Sequence, residues 1–323
     1  MDARRKAKNL LILDSGDLLV PRVGPALSPP QRNELRLKAH LIVKSFNHMG
    51  CDAVAVGETD LALGSGFLLK MAEEAHFPFV SSNLVDRETR KPLFEPYLVR
   101  ELDGLRIGII ALISRDVSPA GSQALTELHL LDPSLTAERM VRELQDHTDL
   151  IILLSHMGHR EDRRFAQSVN GIDIIVGGHN GAALYNPAVV NETLILHNSA
   201  YGKNLGSIEI DFSPDKPSFA NADIIKSLRE TLVAVERRIR SLEAEKSSGR
   251  RQEVLESTLE YRRTVEKRLK ACDQKNPFRN RITRLHDRIP PEPHVRALVE
   301  EYKGKSADLG KGKGCGPASK KTR

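Results

Sequence analysis

Ten residues, Ile172-Asp173-Ile174-Ile175-Val176-Gly177-Gly178-His179-Asn180-Gly181, restrict the possible folds more than any other stretch of the chain. The apolar, β-branched run shows no polar alternation, so it predicts a strand covered on both faces, as in a parallel sheet flanked by helices. The glycines end the strand abruptly and leave His179 at its carboxyl tip, where open α/β sheets bind ligands. Three other runs have the same form. Residues 149–154 end in Ser155-His156, residues 51–56 end in Gly57-Glu58-Thr59-Asp60, and residues 10–13 lead through Asp14-Ser15-Gly16 to Asp17. Four strand tips therefore carry Asp17, Glu58, His156 and His179. Two carboxylates and two imidazoles at one rim form a donor set for zinc or another divalent transition metal.

The order of these endings, Gly16-Asp17, Gly57-x-x-Asp60, Ser155-His156-x-Gly158 and Gly177-Gly178-His179, resembles the calcineurin-like metallophosphoesterase superfamily, and within it the amino-terminal catalytic domain of 5'-nucleotidases. Residues 77–84 and 200–206 extend the resemblance, which covers roughly residues 9–213. It implies an α/β fold, a two-layer β sandwich flanked by helices. It also implies hydrolysis of phosphoesters or nucleotides by metal-activated water, as in nucleotide catabolism, with two ions sharing an aspartate at the position of Asp17.

Several positions depart from the family pattern. Only sixteen residues precede Asp17, and they lack the Asp-x-His that supplies the family's first metal. Gly181 stands where the second His of a Gly-His-x-His motif would be, and Glu58 replaces an asparagine ligand. Thr59 replaces the histidine that assists the leaving group, and a threonine hydroxyl does not titrate near neutral pH. The expectation is one divalent site at most, for manganese, zinc or iron, held by Asp17, Glu58, His156 and His179. Asp60 would have an orienting catalytic role, no substrate-binding residue is assigned, and activity would be reduced. The alternative is a pseudoenzyme, a binding or scaffold protein that retains the fold. Plain structural roles stand beside each residue: helix caps for Asp17 and Asp60, hydrogen-bonded interior side chains for His156 and His179, and a solvated loop position for Glu58. His159 offers either an extra ligand or an exposed side chain.

Along the chain, apolar stripes predict helices over 29–49, 66–75 and 134–146, the last with an unmarked start. Strands are expected at 77–80, 96–101, 105–113, 192–198 and 205–212, with Asp103-Gly104 as a hairpin turn. Composition changes after Ser213, which divides the chain into a metallophosphoesterase-like domain over 1–213, a helical region over 214–303 and a disordered basic tail over 304–323. In the helical region, residues 222–245 and 252–271 carry apolar residues at three- and four-residue spacing around Ser247-Ser248-Gly249. They predict a helical hairpin arm, in coiled-coil style, that packs on itself or provides a surface for self-association or a protein partner. A short helix is expected over 294–302 after a proline-rich linker.

Composition excludes some classes of function. The net charge of +6 owes much to basic runs at both ends, without the aromatic interleaving of a nucleic-acid surface. Nucleic acid is therefore not an expected partner; small phosphoesters or nucleotides are the partners that the resemblance implies. No run approaches the roughly 18 apolar residues of a membrane span, and no signal peptide opens the chain. As written it predicts a cytoplasmic protein, with a periplasmic or exported location if the amino terminus is truncated and the family's first strand is missing. Cys51, Cys272 and Cys315 lack metal-motif spacing, and a Cys272–Cys315 bridge is expected only on export.

Overall fold

The computed structural model describes residues 4, 7, 9–24, 26–115, 126–181, 183–244 and 249–311. Strand β1 (Leu13–Asp14) leads through a loop to helix α1 (Pro29–Met49) and back to β2 (Ala53–Ala55). A short 3₁₀ helix (Thr59–Leu63) and α2 (Ser65–Glu74) connect β2 to β3 (Phe79–Val80). These three strands form a parallel sheet in the order β1-β2-β3. Next come β4 (Leu84–Asp86), β5 (Tyr97–Leu102), β6 (Leu105–Ile113) and β7 (Leu128–Leu130), with β4 and β7 paired antiparallel. Asp103 and Gly104 both have positive φ, 53° and 83°, the backbone expected of an Asp-Gly hairpin turn between β5 and β6.

Helix α3 (Pro133–Leu144), β8 (Leu150–His156), α4 (His159–Ser168) and β9 (Ile174–Gly177) follow, then β10 (Ala188–Val190) and β11 (Thr193–His197). The larger sheet runs β10-β11-β9-β8-β6-β5, with its four inner strands parallel and its two edge strands antiparallel. Every residue of β8 is buried, as its uninterrupted apolar run requires.

Three apolar clusters fill the spaces between layers. One joins the small sheet to α1 and α2 through Val43, Val54, Leu68 and Phe79. Another joins the large sheet to α3 and α4 through Ile110, Met140, Leu153 and Phe165. Between them, Ala53, Ala55 and Val80 of the small sheet meet Ile109, Ile152 and Ile174 of the large one. The architecture is a two-layer β sandwich with helices on both outer faces, as expected.

Among the remaining strands, β12 (Asn204–Ile210) lies where one was expected over 205–212, whereas β13 (Ser218–Asn221) and β14 (Lys275–Arg284) were not expected. The three form one sheet in the order β12-β14-β13, which joins residues on both sides of position 213. Phe219 of β13 and Phe278 of β14 enter the central cluster between the two main sheets. The arm, helices α5 (Ala222–Ala244) and α6 (Gly249–Asp273), is the connection between β13 and β14, and its buried residues include Leu228, Val235, Ile239, Leu242 and Val265. Two expectations are corrected. Helix α3 begins at Pro133, with Asp132 accepting from Leu135 N at 3.0 Å, so Asp-Pro supplies the start that was missing. Helix α7 (Pro293–Lys311) continues through Gly304 into the stretch expected to be a disordered tail; residues 312–323, with Cys315, lie outside the described residues. No described helix is long and apolar enough to cross a membrane.

Candidate metal centre

The tips of β1 and β2 come together first. Gly16, with φ of 98°, lies against the backbone of Gly57, and a Cβ on Gly57 would overlap the backbone nitrogen and carboxylate of Asp17. The Gly-Asp and Gly-x-x-Asp pattern thus reflects two loops in direct contact. Asp60, fully buried, locks them by accepting from Gly57 N at 2.9 Å, Asp17 N at 3.0 Å and Leu19 N at 2.8 Å. Asp17 reciprocates, its Oδ1 accepting from Thr59 N at 2.7 Å. Neither aspartate caps the helix after its own strand. Each holds the other's loop. The hydroxyl of Thr59 donates to the carbonyl of Val20 and so points into this brace.

Three ligand atoms then converge. One atom each from Glu58, His156 and His179 lies within 4.8 Å of the other two. His156 sits at the end of β8, where its Nδ1 donates to the Ser15 carbonyl at 2.7 Å and leaves Nε2 facing the cluster. His179 follows β9 with φ of 75°, and its Nδ1 lies 2.9 Å from Glu58 Oε2. Glu58 is 1% exposed, and its other oxygen accepts from Arg22 Nη2 at 2.9 Å. Glu58 Oε2, His156 Nε2 and His179 Nδ1 are buried and have no aligned hydrogen-bond partner. Buried polar atoms are rarely left this way. A borderline-soft divalent ion would satisfy all three, so the residues present fit such a metal.

Asp17 stands at the edge of this group. Its Oδ2 is 3.2 Å from His156 Nε2, but it is outside the set of mutually close ligand atoms. Its φ of 59° is a second left-handed backbone among the four candidate residues. A non-glycine residue in this region costs about 1 kcal/mol or more and persists where surrounding bonds enforce it. Burial works against ionisation of Asp17, yet His156 and the N–H of Thr59 outweigh it and hold the carboxyl below its usual value. Burial likewise opposes charge on Glu58, but His179 and Arg22 together keep its carboxyl low. For His156 burial favours the neutral ring, and Asp17 overcomes it, carrying the imidazole up to about 9.

One neighbouring network was not foreseen. Asp162, from α4, accepts from Ser155 Oγ and lies 2.6 Å from His197 Nε2, with Asp162 and His197 both buried. It ties the end of β8, next to His156, to the end of β11. Nothing in the spacing of Ser155, Asp162 and His197 marks them as partners; only the parallel register brings them together. His159 packs its ring against His197 at 5.1 Å and takes no place in the three-residue cluster.

No family model matches the chain. A 5'-nucleotidase of Vibrio parahaemolyticus is 28% identical over 214 residues, covering 56% of this chain and 38% of the relative. The calcineurin-like phosphoesterase YfkN of Bacillus subtilis superposes with a TM-score of 0.63 at 16% identity, over 95% of this chain and 86% of that one. The chain is thus similar in sequence to 5'-nucleotidases and shares its fold with a calcineurin-like phosphoesterase. A 5'-nucleotidase precursor of Thermus thermophilus has the same fold, with a TM-score of 0.62 at 22% identity over 95% of this chain and 51% of that one. The chain spans about two fifths of the length of the Vibrio 5'-nucleotidase.

Proposed function

We propose that the chain binds one divalent ion on Glu58, His156 and His179, with Asp17 beside it, and hydrolyses phosphoesters of the kind that 5'-nucleotidases act on. The observation that carries this reading is the convergence of three buried ligand atoms without hydrogen-bond partners at the tips of β2, β8 and β9. Its sequence relationship to 5'-nucleotidases supports the class of chemistry. A bound ion supplies a Lewis acid for the phosphoryl oxygens and lowers the pKa of its water. The residues of the chain hold and orient. Ser15 fixes the tautomer of His156, Arg22 fixes one oxygen of Glu58, and Asp60 fixes the loop of Asp17.

One observation favours a second reading, a metal-binding protein without turnover. Thr59 turns its hydroxyl inward to Val20, so it provides no proton for a leaving group. Metal content of the purified chain after exposure to manganese and zinc, alongside a His179→Ala variant, tests the proposal. One ion per chain, lost in the variant, is expected, together with metal-dependent release of phosphate from p-nitrophenyl phosphate. Metal uptake without phosphate release selects the second reading. A chain that takes up neither metal sinks both.

A further inference from the structure

Arg22 lies on the loop between β1 and α1. Its side chain is 66% exposed, while Glu58, which it contacts, is 1% exposed. A guanidinium carries five N–H donors in a rigid fork. The bond from Nη2 to Glu58 Oε1 uses one of them, and no other hydrogen bond from Arg22 is formed among the described residues. The fork is thus anchored at one corner and open to solvent over the rest.

Its anchor has a second end. Glu58 Oε2 faces His179 Nδ1 at 2.9 Å, inside the cluster of unpartnered ligand atoms, while Oε1 holds Arg22. One carboxylate therefore sets the guanidinium beside the place where an ion would sit. An oxyanion held at such an ion would come within reach of the N–H groups of Arg22 that Glu58 leaves unused. The charges agree with this arrangement. Arg22 is paired with the Glu58 carboxylate, and its remaining N–H groups face solvent. A guanidinium stays charged at every working pH, and its planar fork matches paired phosphate oxygens.

We propose that Arg22 is the side chain that grips the terminal phosphoryl oxygens of a phosphomonoester at this site, so that monoesters bind in preference to diesters. The inference rests on the metal-centre reading above. A monoester dianion offers three charged terminal oxygens to be shared between ion and fork, whereas a diester offers two and a single negative charge. The competing explanation is that Arg22 only holds Glu58 in place, and the two roles separate by what is lost when it is removed.

The test uses the full chain loaded with manganese, in wild type, Arg22→Ala and Arg22→Lys. Calorimetry measures the Kd of manganese first, then the Kd of inorganic phosphate at saturating manganese, with methyl phosphate and dimethyl phosphate as competitors. In Arg22→Ala, phosphate binding is expected to weaken about tenfold or more. Manganese affinity should fall too, because Arg22 also holds Glu58. The phosphate loss is read at saturating manganese and should remain there, and the advantage of methyl over dimethyl phosphate should shrink. Arg22→Lys keeps the charge without the fork and should fall between. Equal phosphate affinity in wild type and Arg22→Ala overturns the proposal, as does a loss that manganese affinity fully accounts for. Failure of the metal-centre reading has its own sign, a wild type that takes up no manganese. Phosphate binding to the metal-free chain then decides for Arg22, and the absence of any difference between wild type and Arg22→Ala overturns its role there too.

Discussion

Asp60 shows how one side chain can organise a site without facing its opening. It is fully buried and gathers the N–H groups of Gly57, Asp17 and Leu19, so it braces two loops that meet at the strand tips. Asp60→Ala leaves three inward donors without their acceptor. The expected loss is roughly 3 kcal/mol of stability in a urea titration, together with loss of metal uptake. Unchanged stability in that variant would show that the brace is dispensable. Asp173 carries a pH dependence of its own, away from the metal cluster. Burial, reinforced by Glu192 and opposed by the bond from Ile151 N, pushes its carboxyl from 3.8 up to about 6. Between those values the folded chain keeps a proton that the unfolded chain releases, so this residue's contribution to stability falls as pH rises from about 4 to about 6. Asparagine retains an oxygen for Ile151 N and has no charge to bury. Asp173→Asn should therefore match wild type near pH 4 and exceed it by roughly 1–2 kcal/mol at pH 7.5. Urea titrations at the two pH values decide it, and a less stable variant at pH 7.5 would mean that the ionised bond to Ile151 outweighs burial.

At the scale of elements, the sequence was readable wherever a strand was apolar and ended in glycine. The runs that became β2, β8 and β9 showed both their burial and the residues at their tips, because strands inside a parallel sheet have no solvent face to alternate with. The helices of the arm were equally plain from their three- and four-residue spacing. β14 was not. Its sequence, Lys275-Asn276-Pro277-Phe278-Arg279-Asn280-Arg281-Ile282-Thr283-Arg284, is mostly polar, and Pro277 argues against a central strand. The fold accepts it because one face is enough: Phe278 reaches the inter-sheet cluster, while Arg279, Arg281 and Arg284 stay exposed. Proline at 277 removes one donor, yet its carbonyl still accepts from Asp211 N at 3.0 Å. The pairing of Asp162 with His197 was hidden for a different reason. It depends on the positions of α4 and β11 over the sheet, which no local pattern encodes. The tips that hold the candidate ligands were therefore legible, and the contacts that steady them were not.

For the whole molecule, the remaining issue is how the arm belongs to the body. β13 and β14 are parallel, with Ser218 opposite Lys275 and Asn221 opposite Phe278, so the chain must return about 10 Å alongside the strands between them. The arm is that return, and it is far longer than the distance demands. Its buried residues Val235, Ile239 and Leu242 lie beyond the first turns of α5. Phe219 and Phe278, at the root, belong to the core of the body. The outer part of the arm should then be removable without disturbing the metal centre. Replacing residues 232–261 by a four-residue Gly/Ser turn shortens α5 and α6 by equal lengths and leaves their inner turns facing as before. The expected variant keeps its metal content and melts within about 3 °C of wild type, a shift of roughly 1 kcal/mol for a chain of this size. A drop of ten degrees or more would make the arm part of the cooperative core. Hydrodynamic size adds an independent readout from the same two samples: a wild type larger than one chain and a shortened variant that matches one chain would locate self-association on the outer turns of the arm.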